Sequence, residues 1–223
     1  MLQSDAWEQE YAHIKAIPSS TRLRPSSAVK YIVEESKYII GTGRRVLDLG
    51  CGAGRNAMYL AQSGYNVTAI DFCSSALGQL KEKYNESFVT GSLHTTLCDI
   101  TETLPFANNS FDAVFDIVTT TSISHDQMKC FELELRRVIE PGGILVSYVH
   151  SNGDGYLQSV APGEDAYVIQ DNQIIDHTWT KAELESLYAR WDVLHFRHVE
   201  KTDTLAGRNY TRRLWYLVLR NRE

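Results

Sequence analysis

No apolar run in the 223 residues approaches the ~20 residues of a membrane span, so no membrane helix is expected. No Cys-x-x-Cys pair occurs: Cys51, Cys73, Cys98 and Cys130 stand singly. That scatter argues against a metal site or a disulfide framework and suits reduced thiols in a cytoplasmic protein. Positive charge is in deficit, with 22 Lys and Arg against 28 Asp and Glu and a net charge of −6. A broad phosphate-binding surface, and hence nucleic acid as a partner, is not expected. The opening MLQSDAWEQEYAHIK carries acids and no apolar core, which speaks against a secretory leader. Repeats, heptads and low-complexity tracts are also absent. What remains is an ordinary globular composition, 43% hydrophobic and 22% charged, at a length that suits one domain with a substantial core.

Two helices are expected first. Ser4 or Asp5 caps one whose Trp7, Tyr11 and Ile14 share a face. IPSSTRLRPSS (17–27) breaks it, and a second begins near Ser26 or Ser27 with Val29, Ile32, Val33 and Ile40 inward. Strand and helix then alternate. Apolar runs at 46–49, 65–70, 92–98, 113–118 and 144–149 are separated by helical stretches at 56–62, 74–84 and 127–139. Such alternation gives a parallel sheet covered on both faces. A capping box, Thr180 with Glu183, opens a late helix. Two closing strands, 193–198 and 213–219, are joined by the turn-like EKTDTLAGRN and should pair antiparallel.

RRVLDLGCGAGRNAMYLAQSGYNVTAID (44–71) carries the chemistry. Gly50, Gly52 and Gly54 follow a strand ending near Asp48; such glycines allow φ > 0 and close approach of a ligand to the backbone. A tight turn that binds nothing is the plain alternative. A dinucleotide is another, because Gly52-x-Gly54-x-x-Ala57 with Asp71 nineteen residues on satisfies that fingerprint. Asp48 separates the ligands: a fixed carboxylate would repel a pyrophosphate but suits the cationic end of S-adenosylmethionine. Asp71 can accept from both ribose hydroxyls, Phe72 offers a surface to adenine, and Asp99 beside Ile100 can accept from the adenine amino group.

VLDLGCGAGRN, VTAID, CDI, FDAVFD and RRVIEPGGIL stand in one order in which the chain resembles the class I S-adenosylmethionine-dependent methyltransferases. The glycine-loop stretch is especially similar to tellurite- and thiopurine-type small-molecule methyltransferases. The resemblance implies an α/β, Rossmann-like seven-stranded, mostly parallel sheet with an antiparallel last strand and an N-terminal helical cap. It implies a cap over 1–42, a methyltransferase domain over 43–223, and a substrate-side insertion at 151–177 whose YVIQDNQIIDH reads as a hairpin with an Asp-Asn turn. S-adenosyl-L-methionine would be held by Asp48, Gly50, Gly52, Gly54, Asn56, Asp71, Phe72, Asp99, Ile100 and Asp116. Asp116 either touches the methionine end or is an exposed strand-end acid.

The other candidates carry two readings each. Trp7 and Tyr11 are either a lid over the cofactor or core. His150, at the end of the fifth strand, is a candidate general base or a structural imidazole. His125 reads as a helix-entry residue, Arg22 and Arg24 as anion contacts or solvated charges, and Arg208, Arg212 and Arg213 as a charged rim. DIVT (116–119) stands where an Asn-Pro-Pro-Tyr pocket would serve DNA bases, which disfavours that chemistry. The expected activity is methyl transfer to a small-molecule nucleophile. RNA or protein as acceptor, and a non-catalytic cofactor-binding subunit, are the alternatives.

Overall fold

The computed structural model describes residues 3–15, 17–38, 41–160, 166–169, 174–205 and 207–222. Its centre is a seven-stranded sheet of β1 (Arg45–Leu49), β2 (Asn66–Asp71), β3 (Ser92–Leu97), β4 (Phe111–Ile117), β5 (Ile139–His150), β8 (Trp191–Leu205) and β9 (Arg208–Asn221). The order is β3-β2-β1-β4-β5-β9-β8. Pairings among β1 to β5 are parallel, and β9 runs antiparallel to both β5 and β8. A two-stranded antiparallel sheet, β6 (Ala166–Ile169) with β7 (Ile174–His177), lies in the inserted stretch. The Asp-Asn turn expected between them falls outside the described residues. None of the helices described is long and apolar enough to cross a membrane.

Successive strand residues feed opposite cores, as the two-residue period requires. Val46, Val146 and Val218 face one core, which takes in α3 (Ser27–Lys30), α4 (Arg55–Gln62) and α5 (Ser74–Asn85) through Val29, Leu60 and Leu80. Leu47, Leu145 and Leu217 face the other, packed on α6 (His125–Val138) and α8 (Lys181–Leu187) through Leu135 and Leu184. The Thr180–Glu183 capping box opens α8, and Ser124 with Gln127 makes a second one for α6, which therefore starts at His125 rather than near Gln127.

The N-terminal segment departs from a plain helix. α1 (Gln3–Gln9) widens into a π-helical turn at Glu10–Ile14, closed by Lys15 at φ 53°. The wider winding shifts the phase: Tyr11 is buried, but Ile14 is 44% exposed and leaves the face it was expected to share. Glu10 is buried instead; its Oε1 accepts from Ile17 N at 2.6 Å and from Ser20 Oγ at 2.8 Å, in the turn of α2 (Pro18–Thr21). Ser26 caps α3, which runs into a π-helical turn at Tyr31–Glu35. Ile32 is buried there and Val33 packs against the core, whereas Ile40 lies outside the described residues.

The closing hairpin also differs. EKTDTLAGRN is mostly ladder, with Thr202 opposite Thr211 and Leu205 opposite Arg208. Its alternating threonines suit a strand better than a loop. The extension carries Lys201, Asp203 and Arg212 beyond the carboxyl edge of the sheet. A short helix, α7 (Gly155–Val160), lies beside it.

Candidate active site

The site is built where β1, β2 and β4 end. Gly50 and Gly52 have φ of 51° and 54°. A Cβ on Gly50 would stand 2.3 Å from the Thr119 side chain, and one on Gly52 would stand 2.2 Å from the Tyr11 hydroxyl. Only glycine fits either place. Gly54 serves packing instead, facing Leu80 of α5.

Asp71 closes the loop from β2. Its Oδ2 accepts from Gly52 N and its Oδ1 from Cys73 N, both at 2.8 Å. Each oxygen keeps a second lone pair for a hydroxyl. Asp48 is 1% exposed, and its Oδ2 has no hydrogen-bond partner. Burial pushes its carboxyl up to about 7, against the pull of Arg55 and a hydrogen bond from the Ala57 amide. An unpartnered buried carboxylate oxygen is costly unless a donor or cation completes it. A glycine cradle, a carboxylate free to accept from a ribose and this orphaned oxygen fit S-adenosylmethionine; the buried Asp48 carboxylate is the group among them that would repel a pyrophosphate.

A cavity follows this ledge, lined by Gly50, Asn56, Asp71, Phe72, Cys98 and Ile100. Trp7 and Tyr11 close its side, their rings stacked at 5.9 Å, and Tyr11 packs with Ala53 and Cys73. Asn56 Oδ1 accepts from Ser26 N at 2.9 Å, tying the N-terminal segment to the start of α4.

A second cavity of about 660 Å³ lies under the hairpin. His150, Asp176, Tyr148, Tyr156, Lys201 and Arg212 are among its walls. Asp154, wholly buried, organises them: its oxygens accept from Arg212 Nε at 2.9 and 2.8 Å and from the Arg213 amide at 2.8 Å. Arg212 in turn donates to His150 Nδ1 at 3.4 Å, which leaves the imidazole proton on Nε2, 3.9 Å from Asp176 Oδ2. Burial, then the Arg212 charge, pushes His150 down to about 3. Burial pushes Asp176 up to about 6, although Thr121 Oγ1 donates to it.

The two cavities share Trp7, Arg22, Arg55, Ile117 and Val118. Val118 holds φ 63°, an outlying conformation for a β-branched residue, and its amide donates to Tyr148 O at 2.8 Å. Such strain tends to gather at working sites.

Several expected residues are placed elsewhere. Asp116 is neither an exposed acid nor a wall of the cavity. It is fully buried, and its oxygens accept from Thr119 N, Thr120 N, Thr120 Oγ1 and Ser147 Oγ, holding the turn after β4. Asp99, between the cavity-lining Cys98 and Ile100, accepts on Oδ1 from the Thr101 amide and hydroxyl at 2.8 Å each. His125, by contrast, opens α6 as expected, stacked on Trp179 with centroids 4.0 Å apart and Nε2 against Thr178 O. Arg212 is no rim residue, since its side chain is 12% exposed and paired with Asp154; Arg213 pairs with Glu200. Arg22 is paired with Asp203 at 2.7 Å. Arg55, Asp154, Asp176 and Lys201 went unread in the sequence. Arg55, next to Gly54, and Asp154 and Asp176, in the stretch read as a substrate-side insertion, had a nearby signal. Among the described residues no group of three or more His, Cys, Asp or Glu could hold a metal ion.

Residues 47–147 match the family model described as a methyltransferase domain. The chain is 35% identical over 105 residues to an uncharacterized methyltransferase of Synechocystis, covering 47% of this chain and 46% of that one. It is 28% identical over 154 residues to the tRNA N(3)-cytidine methyltransferase METTL2 of Bos taurus, covering 65% and 40%. It is also 28% identical over 187 residues to the "Probable S-adenosyl-L-methionine-dependent methyltransferase TehB" of Haemophilus influenzae, covering 79% and 57%. The chain thus spans less than half the length of the first two. A solved structure of the Burkholderia thailandensis 1,6-didemethyltoxoflavin-N1-methyltransferase, with bound 1,6-didemethyltoxoflavin and S-adenosylhomocysteine, superposes with a TM-score of 0.72 at 16% identity, covering 99% and 87%. The fold is the one shared by solved class I S-adenosylmethionine-dependent methyltransferases, and the stretch that carries the glycine loop is the part that matches a methyltransferase domain. The solved structure of TehB from Haemophilus influenzae also superposes, with a TM-score of 0.67 at 19% identity, covering 96% of this chain and 67% of that one.

Proposed function

We propose that this chain transfers a methyl group from S-adenosylmethionine to a small-molecule nucleophile. The observation that carries the reading is the pair of cavities meeting at Ile117, Val118, Arg55 and Trp7: one follows the glycine ledge, and the other is closed over by the hairpin. When bound, the cofactor supplies an electrophilic methyl on a sulfonium, whose sulfur keeps the electron pair as the acceptor–carbon bond replaces the sulfur–carbon bond. Asp48, Gly50, Asp71, Phe72 and Ile100 hold that cofactor, and Trp7 with Tyr11 acts as a lid excluding water. Residues 3–15 are thus the working part of the cap, whereas Val29 and Ile32 belong to the main core. Alignment of the two partners can provide about 7–11 kcal/mol of the rate gain.

Where the acceptor must lose a proton, Asp176 takes it. His150 at about 3 is too weak a base, and Asp176 at about 6 stands nearer neutrality. A bounded cavity of about 660 Å³ supports a metabolite-sized acceptor, since such pockets span roughly 300–1,000 Å³. The likeness to the tRNA methyltransferase supports RNA as a second reading. Four free thiols suit a cytoplasmic setting.

Calorimetry tests the cofactor assignment. S-adenosylmethionine and S-adenosylhomocysteine should bind and NAD should not; NAD binding with none for the adenosyl compounds overturns it.

A further inference from the structure

We infer that the methyl acceptor carries an anionic group, a carboxylate or a phosphate, which seats between Arg55 and Lys201 in the larger cavity. The inference rests on the methyl-transfer reading and names its substrate class. In a protein of net charge −6, this one cavity is lined by Arg22, Arg24, Arg55, Lys201 and Arg212 against only Asp176 and Asp203. Two of the five cations are spent: Arg22 pairs with Asp203 at 2.7 Å, and Arg212 with the buried Asp154 at 2.8 Å. Arg24 is exposed at the rim. Among the described residues no carboxylate forms an ion pair with Arg55 or Lys201.

Both of these cations are half-buried. Lys201 lies over the Tyr148 ring, 5.8 Å from Nζ to the centroid. Burial lowers its affinity for a proton; repulsion from Arg212, Arg22 and Arg55 adds to that, and Asp203 opposes it. Burial likewise lowers Arg55, with repulsion from Arg22 next, while Tyr11, Asp48 and Asp203 oppose it without an ion pair. Like charges turned toward one another in a partly dry cavity destabilise the empty state and stabilise an anion brought between them. Tyr148 and Tyr156 give such an anion an aromatic wall, with Arg212 lying 5.3 Å from the Tyr156 ring. Arg55 lines both cavities, so a group held there leaves the rest of the acceptor against Ile117 and Val118.

Lys201 is the cleaner residue to alter, because it lines only the acceptor cavity. The full chain loaded with S-adenosylhomocysteine is titrated by calorimetry with benzoate, inorganic phosphate and neutral benzamide. At least one anion should bind tenfold or more tightly than benzamide. Lys201→Gln should weaken that anion tenfold or more, Lys201→Arg should recover most of it, and affinity for S-adenosylhomocysteine should stay within twofold throughout. Benzamide binding as well as both anions, or anion affinity unchanged in Lys201→Gln, overturns the proposal. If the anions bind the unloaded chain in this pattern while S-adenosylhomocysteine does not bind, the cationic seat stands and the methyl-transfer reading falls. The methylated product from a cell extract should be retained on an anion-exchange resin at pH 8; label that flows through overturns the proposal. So does label found only on RNA, whose binding would fall steeply with salt as many phosphates are neutralised.

Discussion

Replacing Asp48 by Asn should make the protein more stable and less able to bind its cofactor. The carboxyl is 1% exposed and one of its oxygens has no partner, so burial moves it from an ordinary 3.8 to about 7. Between those values the folded chain holds a proton that the unfolded chain has released. Stability from this group therefore falls as pH rises from 4 to 7 and stays low above. Holding the charge buried at pH 8 costs the folded state roughly 4 kcal/mol. The amide that replaces it adds a donor with no partner, at a cost of about 1–3 kcal/mol. The net gain at pH 8 is then roughly 1–3 kcal/mol, a rise in melting temperature of roughly 2–12 °C for a chain of this size. Near pH 4 the gain should vanish or reverse, because the parent carboxyl is protonated in both states. Thermal unfolding of parent and variant across pH 4–8.5 measures the difference. Affinity for S-adenosylhomocysteine should fall roughly 10- to 150-fold, about 1.5–3 kcal/mol for a lost charge-assisted bond. Parent binding at pH 6 should release protons, seen as a dependence of heat on buffer that disappears at pH 8.5. A variant destabilised equally at pH 4 and 8, with unchanged affinity, would refute the reasoning.

Three further outcomes are expected. Gly52→Ala places a Cβ 2.2 Å from the Tyr11 hydroxyl at φ 54°, so it should lose about 1–3 kcal/mol of stability and most cofactor affinity, read by denaturant titration and calorimetry. Asp71→Asn gives up one of the two 2.8 Å bonds to Gly52 N and Cys73 N and should bind S-adenosylmethionine roughly tenfold or more weakly; unchanged affinity removes the ribose role. Asp176, pushed up to about 6 by burial, should give turnover that climbs with pH through 6 and levels above it if the acceptor must be deprotonated. Asp176→Asn should abolish that inflection, whereas an inflection retained in the variant assigns the proton to another group.

The glycine loop was legible because everything it needs is local. Positive φ at Gly50 and Gly52, apolar alternation in β1 and β2, and the terminal Asp71 all lie within one stretch of chain. Capping boxes at Thr180 and the antiparallel return of β9 were legible for the same reason. Asp116 was misread because sequence does not show that Thr119, Thr120 and Ser147 converge on it. Ile14 left its face because one π-helical turn changed the phase after Gln9. The acceptor cavity was hidden most deeply. Arg212 reaches His150 across 62 residues and Asp154 across 58, and the stretch that carries Lys201 read as a turn. Charges whose partners are that distant look like solvated rim until the hairpin folds over them.

The central claim is methyl transfer to a small molecule, and a labelled methyl group tests it most directly. A cell extract is separated by size, and each fraction is incubated with the purified chain and S-adenosylmethionine labelled in its methyl group. The account predicts label in the small-molecule fraction, dependent on Asp71 and Gly52. Label that enters the large fraction instead, and is removed by nuclease or protease, would contradict it.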